Sequence, residues 1–511
     1  MSDPEWSPTW AIPLIHSKLS LLDILKKGNN IFVEDSLTHM LTLEYAARLF
    51  SENAQQFFLI PDQKIIKFES SALFIIVLPF DSVINEFSTP YSFSLAQEGQ
   101  RLDSILVKSA LMKINIFSQI NHKAKVSISI PNATKNGKMF KTTLALDYSG
   151  TLPVENNVNL DFSGFNILLD NSPGHTNEIN ANIRIAVYGD SNPNLSPYTF
   201  SAKCDLVNIK FSKLFGFLGK YEFPLVDTLT LSLFKNSIQG GIHLEEIDMF
   251  MKTSNSIGMP IELNFLDLLA FSAKNPPYTV DIADHPLFPN PLVIPSPDIN
   301  HIGIKIDTTF QFGENNSNII DAINMSPEYI YFNVIGKSNP ANNGAYQNFI
   351  LDTSRLAVDL KLKLPLFGSI SGFFIEDTVN FNFDIPSQAK MVEFKVRTLN
   401  HFPLDAELQI YFADQNYKIL DSLFSGKNHN IIVAAPVSGP PDYRVIDKPP
   451  IEPFIFSPDP FLAADLERLR QSKFLLIKAK MSTYKSDLVK IYVDDWLDVQ
   501  MAAKLQFGTQ N

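Results

Sequence analysis

Two short segments hold the densest groups of carboxylates, the side chains of this sequence best suited to acid–base or metal chemistry. They are Glu245–Asp248 and Asp494–Asp498. A glycosidase needs two carboxyl groups at a set separation across a cleft, and Ca²⁺ needs several oxygen ligands. No EF-hand pattern surrounds Asp494, Asp495 and Asp498, and neighbouring side chains of a strand point to opposite faces. We expect solvated acidic positions, and the sequence leaves open whether these three aspartates bind an ion.

Histidine and cysteine do not indicate a site either. The nine histidines are dispersed, and no two have the i, i+2 or i, i+4 spacing of paired metal ligands. The single cysteine, Cys204, has apolar neighbours and is expected to be a small buried hydrophobic residue. No nucleophile elbow, phosphate-binding loop or dinucleotide fingerprint occurs. The sequence therefore predicts no catalytic, cofactor-binding or metal-ligating residue, and a protein that is not an enzyme.

The charge balance narrows the range of partners. The 511 residues include 42 Lys plus Arg against 54 Asp plus Glu, which gives a formal net charge of −12. Such a chain lacks the broad basic surface that neutralises phosphates, so nucleic acid is not expected as a partner. The most apolar stretch, Ala72–Phe80, is less than half of the about 20 residues that a transmembrane helix needs. No transmembrane helix is predicted.

Strands are the elements that must position these residues. Apolar and polar residues alternate one by one in several segments, which is typical of half-buried antiparallel strands. The clearest examples are Val126–Ile130, Thr228–Leu233, Leu356–Leu364 and Val379–Phe383. With 41 Phe and many Asn, the composition also fits strands that are joined by polar turns.

Helical and proline-rich segments are few. One amphipathic helix is predicted after Pro460, with Phe461, Leu462, Leu466 and Leu469 on one face. Two proline-rich segments, residues 276–297 and 436–460, are expected to be long loops or joints between modules, because proline removes a donor from the strand ladder.

An internal repeat is the strongest pattern in the sequence. Three short markers recur in the same order at offsets of 147, 150 and 145 residues. The pairs are Val187–Pro193 with Val334–Pro340, Asp227–Phe234 with Asp377–Asp384, and Lys252–Asn255 with Arg397–Asn400. A degenerate earlier copy of the third marker is Leu111–His122. The third marker predicts a strand that ends at Asn, turns at a proline-containing corner and returns as a second strand.

Length and repeat together predict the architecture. A chain of 511 residues is too long for one hydrophobic core, so several modules are expected. We predict a mostly β fold of tandem antiparallel β-sandwich modules with a small C-terminal α+β element. The predicted units are an N-terminal segment with a first β-element (1–100), β-module 1 (101–243), β-module 2 as its internal repeat (244–388), and a partial third module with a C-terminal helix and strands (389–511).

Three segments carry a resemblance to known proteins. Pro4–Leu14 reads PEWSPTWAIPL, and the others are Phe215–Gly219 and Val489–Met501. They resemble uncharacterised, β-rich cell-envelope proteins of Bacteroidota, many of them predicted lipoproteins in which such an opening follows the lipid-attachment cysteine. The strand–Asn–Pro–strand unit is also similar to the small sandwich of desiccation-related (LEA-type) proteins. This resemblance implies export with a removed signal peptide and an N-terminal lipid anchor; it brings no catalytic residues.

Three functions remain open from the sequence. The first is a non-enzymatic, lipid-anchored structural or accessory subunit of an outer-membrane assembly, which binds an envelope or outer-membrane protein and lies in the cell envelope or at the cell surface. The second is a binding module for lipid or another apolar ligand between its sheets. The third is a glycan-binding or carbohydrate-active protein, for which Trp6, Trp10 and Trp496 are the only tryptophans. A cytoplasmic location is the alternative if no signal peptide precedes the chain.

Overall fold

The computed structural model describes residues 9–20, 31–36, 38–53, 58–73, 75–97, 99–193, 196–231, 234, 241–273, 277–341, 347–381, 384–424, 429–446 and 452–507. The protein is mostly β, as predicted, and consists of antiparallel sheets. The ends of two predicted strands, residues 232–233 and 382–383, lie outside the described residues.

The elements follow one another in four groups. The N-terminal group is β1 (Thr9–Ser20), β2 (Ile31–Glu34), β3 (Leu41–Asn53) and β4 (Gln63–Leu73). The second group is β5 (Ser82–Ser92), β6 (Arg101–Ser118), β7 (Lys123–Lys135), β8 (Lys138–Leu146), β9 (Val154–Asp161), β10 (Asn166–Leu168), β11 (Glu178–Tyr188) and β12 (Tyr198–Phe217). The third group is β13 (Glu222–Thr230), β14 (Gly241–Leu244), β15 (Asp248–Asn255), β16 (Ile261–Ser272), β17 (Tyr278–Asp281), β18 (Leu292–Ile294), β19 (Ile306–Phe312), α1 (Ile319–Asn324), β20 (Tyr329–Ser338), β21 (Asn348–Leu351), β22 (Arg355–Pro365) and β23 (Phe367–Ser371). The last group is β24 (Phe373–Asn380), β25 (Ala389–Asn400), β26 (Leu404–Ala413), β27 (Ile419–Ser422), β28 (His429–Ile432), β29 (Phe454–Phe456), β30 (Phe461–Leu462), α2 (Ala463–Gln471), β31 (Phe474–Thr483), a 3₁₀ turn (Tyr484–Ser486), β32 (Val489–Lys490) and β33 (Trp496–Phe507).

One strand arrangement occurs three times. The first sandwich has sheets β4-β12-β6-β9 and β5-β11-β7-β8, and β10 pairs with both β6 and β7. The second has β2-β3-β22-β15-β19 and β13-β20-β16, with β17 and β18 on β16. The third has β1-β33-β25, with β29 and β30 on β25, and β24-β31-β26, with β27 and β28 on β26. The strands of the two main sheets therefore follow the same spatial order in all three sandwiches.

The N-terminal group contributes one strand to every sandwich, in reverse order. β1 pairs along its whole length with β33, the last strand of the third sandwich. β3 pairs with β22, the last strand of the second, and β4 pairs with β12, the last strand of the first. Along the chain, the N-terminal segment therefore runs from the third sandwich past the second to the first, before β5 begins the remaining strands of the first sandwich.

A buried asparagine forms the predicted corner in the second and third sandwiches. Asn400 ends β25, and its side-chain oxygen accepts the N–H of Phe402 at 3.0 Å. Its amide nitrogen also donates to the carbonyls of Leu404, at 2.8 Å, and Val433, at 2.9 Å. Asn255 ends β15 in the same way and accepts the N–H of the residue two positions on at 2.9 Å. The third marker is thus a local side-chain turn that reverses the chain between the two sheets.

The first sandwich has the same corner with a different residue. Ser118 ends β6 and is fully buried. Its hydroxyl accepts the N–H of Ile120 at 3.1 Å, as the asparagines do for the residue two positions on. The degenerate copy predicted at Leu111–His122 is therefore a real corner in which Ser replaces Asn.

Hydrophobic residues of the first two sandwiches form one continuous core. The cluster runs from Leu43 to Leu364 and includes inward-facing residues of both sheets of each sandwich. Phe50 of β3 stacks on Phe223 of β13 at a ring-centroid distance of 5.0 Å, which joins the two sheets of the second sandwich. The third sandwich has its own core, from Ile385 to Leu505.

Two sequence expectations are corrected by the structure. Residues 277–297 are not a joint between modules, because β17 and β18 within them pair with β16 inside the second sandwich. The predicted helix exists but begins at Ala463; Phe461 and Leu462 form the short strand β30 on β25, and Leu462 is exposed. Among the described residues, neither helix has the length and hydrophobicity to cross a membrane.

The predicted unit boundaries at residues 100, 243 and 388 stay a prediction. The sheets themselves group the chain differently at two of them. β13, which precedes residue 243, pairs with β20 of the second sandwich, and β24, which precedes residue 388, pairs with β31 of the third.

We predict that Asn400→Ala lowers the free energy of unfolding by about 1–3 kcal/mol, because buried N–H and C=O groups at the corner lose their partners. Denaturant unfolding of the full chain measures the change. Asn416→Ala, in an exposed turn, is the matched control and should change stability little. Equal effects of both substitutions would contradict the structural role of the corner.

Candidate functional site

Among the described residues, Asp495 is a carboxylate that combines nearly complete burial with a strongly raised pKa. It lies in the turn before β33, with only 1% of its surface exposed. One carboxylate oxygen accepts the N–H of Tyr492 at 2.9 Å, and the other lies 3.2 Å from His401 Nδ1. Burial raises the pKa of Asp495 to about 6, although the Tyr492 N–H and the His401 ring oppose this shift.

The imidazole of His401 is itself held by an aromatic ring. It stacks on Trp496 at a centroid distance of 5.6 Å and an interplanar angle of 12°. Lys18 of β1 places its ammonium 4.0 Å from the centroid of the same ring. This arrangement joins the N-terminal strand, the Asn400 corner and the start of β33, so its geometry indicates a structural junction.

The three C-terminal aspartates do not converge. Asp494 is exposed and pairs with Arg444. Asp498 lies on β33 near His16, at 3.4 Å, and Arg397, at 3.8 Å. Since each carboxylate has its own partner, they do not form a common ligand set. Within the residues that the structure describes, no group of three or more His, Cys, Asp or Glu side chains could hold a metal ion.

The other acidic segment is also divided among separate partners. Glu245 lies 3.1 Å from His243 Nε2 at the surface. Asp248, at the start of β15, accepts a hydrogen bond from Gln311 at 2.7 Å. Glu245 thus makes a contact within the end of β14, and Asp248 makes one between the neighbouring strands β15 and β19.

An apolar cavity lies between the second and third sandwiches. Its volume is about 190 Å³. Strands β3, β14, β23, β26, β31 and β32 supply most of its walls, which are almost entirely apolar. The lining residues include Leu43, Ile242, Leu244, Ile370, Phe402, Leu404, Ala406, Ile432, Met481, Val489, Ile491 and Leu497.

Two polar groups around this cavity have hydrogen-bond partners. The Asn400 amide is used by the corner, and Thr483 Oγ1 donates to the carbonyl of Asp487 at 2.9 Å. Asp405 is partly buried, and burial raises its pKa. Because the walls offer no cationic side chain, the cavity suits an uncharged apolar group. An apolar cavity of roughly 150 Å³ in another protein stays dry and binds benzene, so this volume is sufficient for a small hydrocarbon.

The tryptophans do not share a surface. Trp10 pairs with Leu505 and Trp496 pairs with Ser20, so the two indoles lie near opposite ends of the β1–β33 pair. Nine residues of strand separate Trp496 from Leu505, which is about 30 Å. Trp6 lies outside the described residues.

Cys204 is buried, as expected, on β12. Its sulfur lies 2.9 Å from the sulfur of Met112. Burial, with a smaller contribution from Asp205, raises the pKa of the thiol to about 12, so the thiolate is not formed near neutral pH.

Sequence reasoning did not find the cavity or the buried pair. The cavity walls come from strands that lie far apart in the sequence, and no local pattern links Leu43 to Met481. The Asp495–His401 contact joins residues 94 positions apart. The one available signal was that His401 directly follows the Asn of the third marker.

Comparisons with known proteins do not assign the chain to a family. No protein-family model and no curated protein matches the chain. Among solved structures, a chain from Parabacteroides distasonis, a member of the Bacteroidota, is described as a "putative secreted protein". It is 10% identical, the TM-score is 0.27, and the match covers 98% of this chain and 100% of that chain. A similarity at this level supports no statement about fold or function.

We predict that Asp495 makes the protein less stable as pH rises. Its folded pKa of about 6 exceeds the ordinary value of 3.8, so the folded state binds the proton more tightly. The free energy of unfolding should therefore fall between about pH 4 and 6, and Asp495→Asn should gain about 1–3 kcal/mol relative to the natural protein across this window.

Denaturant unfolding at several pH values measures the effect. Asp147→Asn, which changes an exposed carboxylate of the first sandwich, is the matched control and should follow the natural protein. Parallel pH profiles of the natural protein and Asp495→Asn would contradict the raised pKa.

Proposed function

We propose that the protein is a non-enzymatic structural subunit of the cell envelope that acts as a rigid spacer and docks an envelope protein. The observation that carries this proposal is the course of the N-terminal segment, which gives a strand to each of the three sandwiches. The chain therefore passes between neighbouring sandwiches twice, once in the N-terminal segment that contains β3 and once in the later strands that include β22. Neighbouring sandwiches are thus joined by two connections rather than by a single linker.

Backbone hydrogen bonds continue across both junctions. Between the second and third sandwiches, the Leu41 N–H donates to Ile491 O and the Ile491 N–H donates to Leu366 O, both at 3.0 Å. Between the first and second, β21 pairs with the end of β12. Such paired backbone groups restrict hinge motion, which is the property that a spacer needs.

The separate partners of the carboxylates support a non-enzymatic role. Asp494, Asp495 and Asp498 each contact a different basic side chain, so they do not converge on one reaction centre. Export and an N-terminal lipid anchor are part of the same proposal and are supported by the resemblance of Pro4–Leu14 to the segment that follows the lipidated cysteine.

Expression of the tagged gene with its native upstream codons in its source cell tests the proposal. We expect the chain in the envelope fraction, labelled by radioactive palmitate, and recovered with a protein partner after gentle solubilisation. Replacing the codon of the lipid-attachment cysteine should release the chain from the membrane. Recovery in the cytosol without label would contradict the envelope role.

The second candidate function is binding of a small apolar molecule, and the cavity between the second and third sandwiches favours it. Its walls are almost entirely apolar, its volume is about 190 Å³, and the Asn400 and Thr483 side chains at its rim are already hydrogen-bonded. These properties suit a neutral hydrocarbon group and disfavour a charged ligand.

We predict that benzene raises the thermal unfolding midpoint of the natural protein and that Ala406→Leu, which fills the cavity, removes this increase. Leu404→Ala should enlarge the cavity and admit a larger aromatic hydrocarbon. Leu408→Ala, the same substitution on the same strand but outside the lining, is the control. An equal response of all four proteins would exclude the cavity as the binding site.

A further inference from the structure

The repeated segment Val187–Pro193 and Val334–Pro340 makes a contact between sandwiches in its second copy. Asn339 is fully buried, and its amide donates to the carbonyl of Gly219, which follows the last strand of the first sandwich, at 2.7 Å. The hydroxyl of Ser338 accepts the N–H of Tyr221 at 2.8 Å. These two residues of the motif therefore bind the end of the preceding sandwich as well as ending a strand.

The third sandwich uses an equivalent contact. Thr483 ends β31, which corresponds to β20 in the strand arrangement. Its hydroxyl accepts the N–H of Ile370, in the segment that follows the last strand of the second sandwich, at 3.3 Å. In both the second and the third sandwich, the corner end is thus covered by the opposite end of the preceding sandwich.

The first sandwich presents the same end to solvent. Its copy of the motif places Ser191 and Asn192 at the surface, where both are exposed. Below them, His122 is buried and lies 2.8 Å from the carbonyl of Asn192 and 3.1 Å from the Tyr198 hydroxyl. The motif is therefore held in place although no described residue of a neighbouring sandwich covers it.

An apolar segment lies beside this open motif. Between β4 and β5, Ile75 and Val77 are buried whereas Ile76, Leu78 and Phe80 are exposed, Phe80 to 82%. Terminal units of stacked repeats usually have a polar outer face, because an apolar one promotes association. Here the outward side chains of Ile76, Leu78 and Phe80 are apolar, contrary to that expectation.

The backbone holds this segment rigidly. The Phe80 N–H donates to Asp190 O at 3.0 Å, and the Gly189 N–H donates to Asp81 O at 2.7 Å. A Cβ on Gly189 would lie 2.4 Å from Leu78 O, so only glycine permits this approach. Phe80 has a φ of 57°, a conformation that bulky residues adopt rarely. The segment is therefore preorganised to present Phe80 outward.

At the opposite end of the molecule, the described residues also present apolar side chains to solvent. It is formed by the start of β1 and β25 and the end of β33 in the third sandwich. Trp10 is 60% exposed there and packs edge-on against Phe507, and Leu462 on β30 is exposed in the same sheet, with β33 and β25 between the two side chains. In the first and second sandwiches, the equivalent end covers the corner end of the next sandwich.

We propose that the open corner end of the first sandwich binds the open end of the third sandwich in a second copy of the chain, wherever in the cell the chain resides. The internal junctions show which partner this surface accepts, namely the opposite end of a sandwich of the same design. The contact joins two different surfaces, so it continues from copy to copy as a head-to-tail array. The carboxylates of Asp81 and Asp190 beside Phe80 disfavour an anionic lipid surface as the alternative partner.

Sedimentation velocity of the purified full chain tests this interface. We expect mass to increase with protein concentration, and Phe80→Ser or Trp10→Ser to weaken association about tenfold or more, as for other buried aromatic contacts. A mixture of the two variants retains one intact interface and should stop at dimers. Leu287→Ser, at an exposed site away from both ends, is the matched control and should associate like the natural protein.

Cysteine cross-linking tests the orientation. Asn192→Cys and Lys390→Cys place thiols at the two open ends, and buried Cys204 gives no background because of its raised pKa. The double variant should give a ladder with a bifunctional maleimide, and a mixture of the single variants should give dimers. A monomer at all concentrations, cross-links between two copies of Asn192→Cys alone, or binding to phosphatidylglycerol vesicles that Phe80→Ser abolishes would each overturn the head-to-tail interface.

Discussion

The structure depends on antiparallel pairing between the first and last strands of each sandwich, which are distant in sequence. The extreme case is β1 with β33, where Gln500 lies 3.3 Å from the ring of His16 across 484 positions. Without β1, β3 and β4, one side of β33, β22 and β12 would lose its ladder of backbone hydrogen bonds. Unpaired backbone groups are costly when buried, so these three pairings stabilise all three sandwiches together.

Local features of this fold could be predicted from the sequence because their causes are local. Alternation at Val126–Ile130 and Leu356–Leu364 reflects one buried and one exposed face, and both segments are strands. The Asn400 corner could be predicted since its side chain bonds the backbone two residues on. The pairing of β1 with β33 could not, because an alternating strand fits many partners equally well, and register depends on the finished core.

The same distinction applies to the site. The sequence placed Asp494, Asp495 and Asp498 together, and an interpretation as solvated carboxylates is correct for Asp494 but wrong for Asp495, which is buried. Burial of Asp495 results from the packing of Tyr492 and His401 around it, and neither contact has a local sequence pattern. The apolar cavity is a property of two sandwiches meeting, so it has no counterpart in any single segment.

The reverse order of the N-terminal strands also has a consequence in time. β1 is synthesised about 480 residues before β33, and at about 5–20 residues per second this interval lasts roughly 25–100 s. During this interval β1 has no partner and could pair with other nascent chains. Pro13 and the register shift beside it interrupt the regular edge of β1, which is the usual protection against wrong pairing. Pro90 in β5 and Pro224 in β13 interrupt two further edge strands in the same way, whereas β4, which also waits for its partner β12, has no proline.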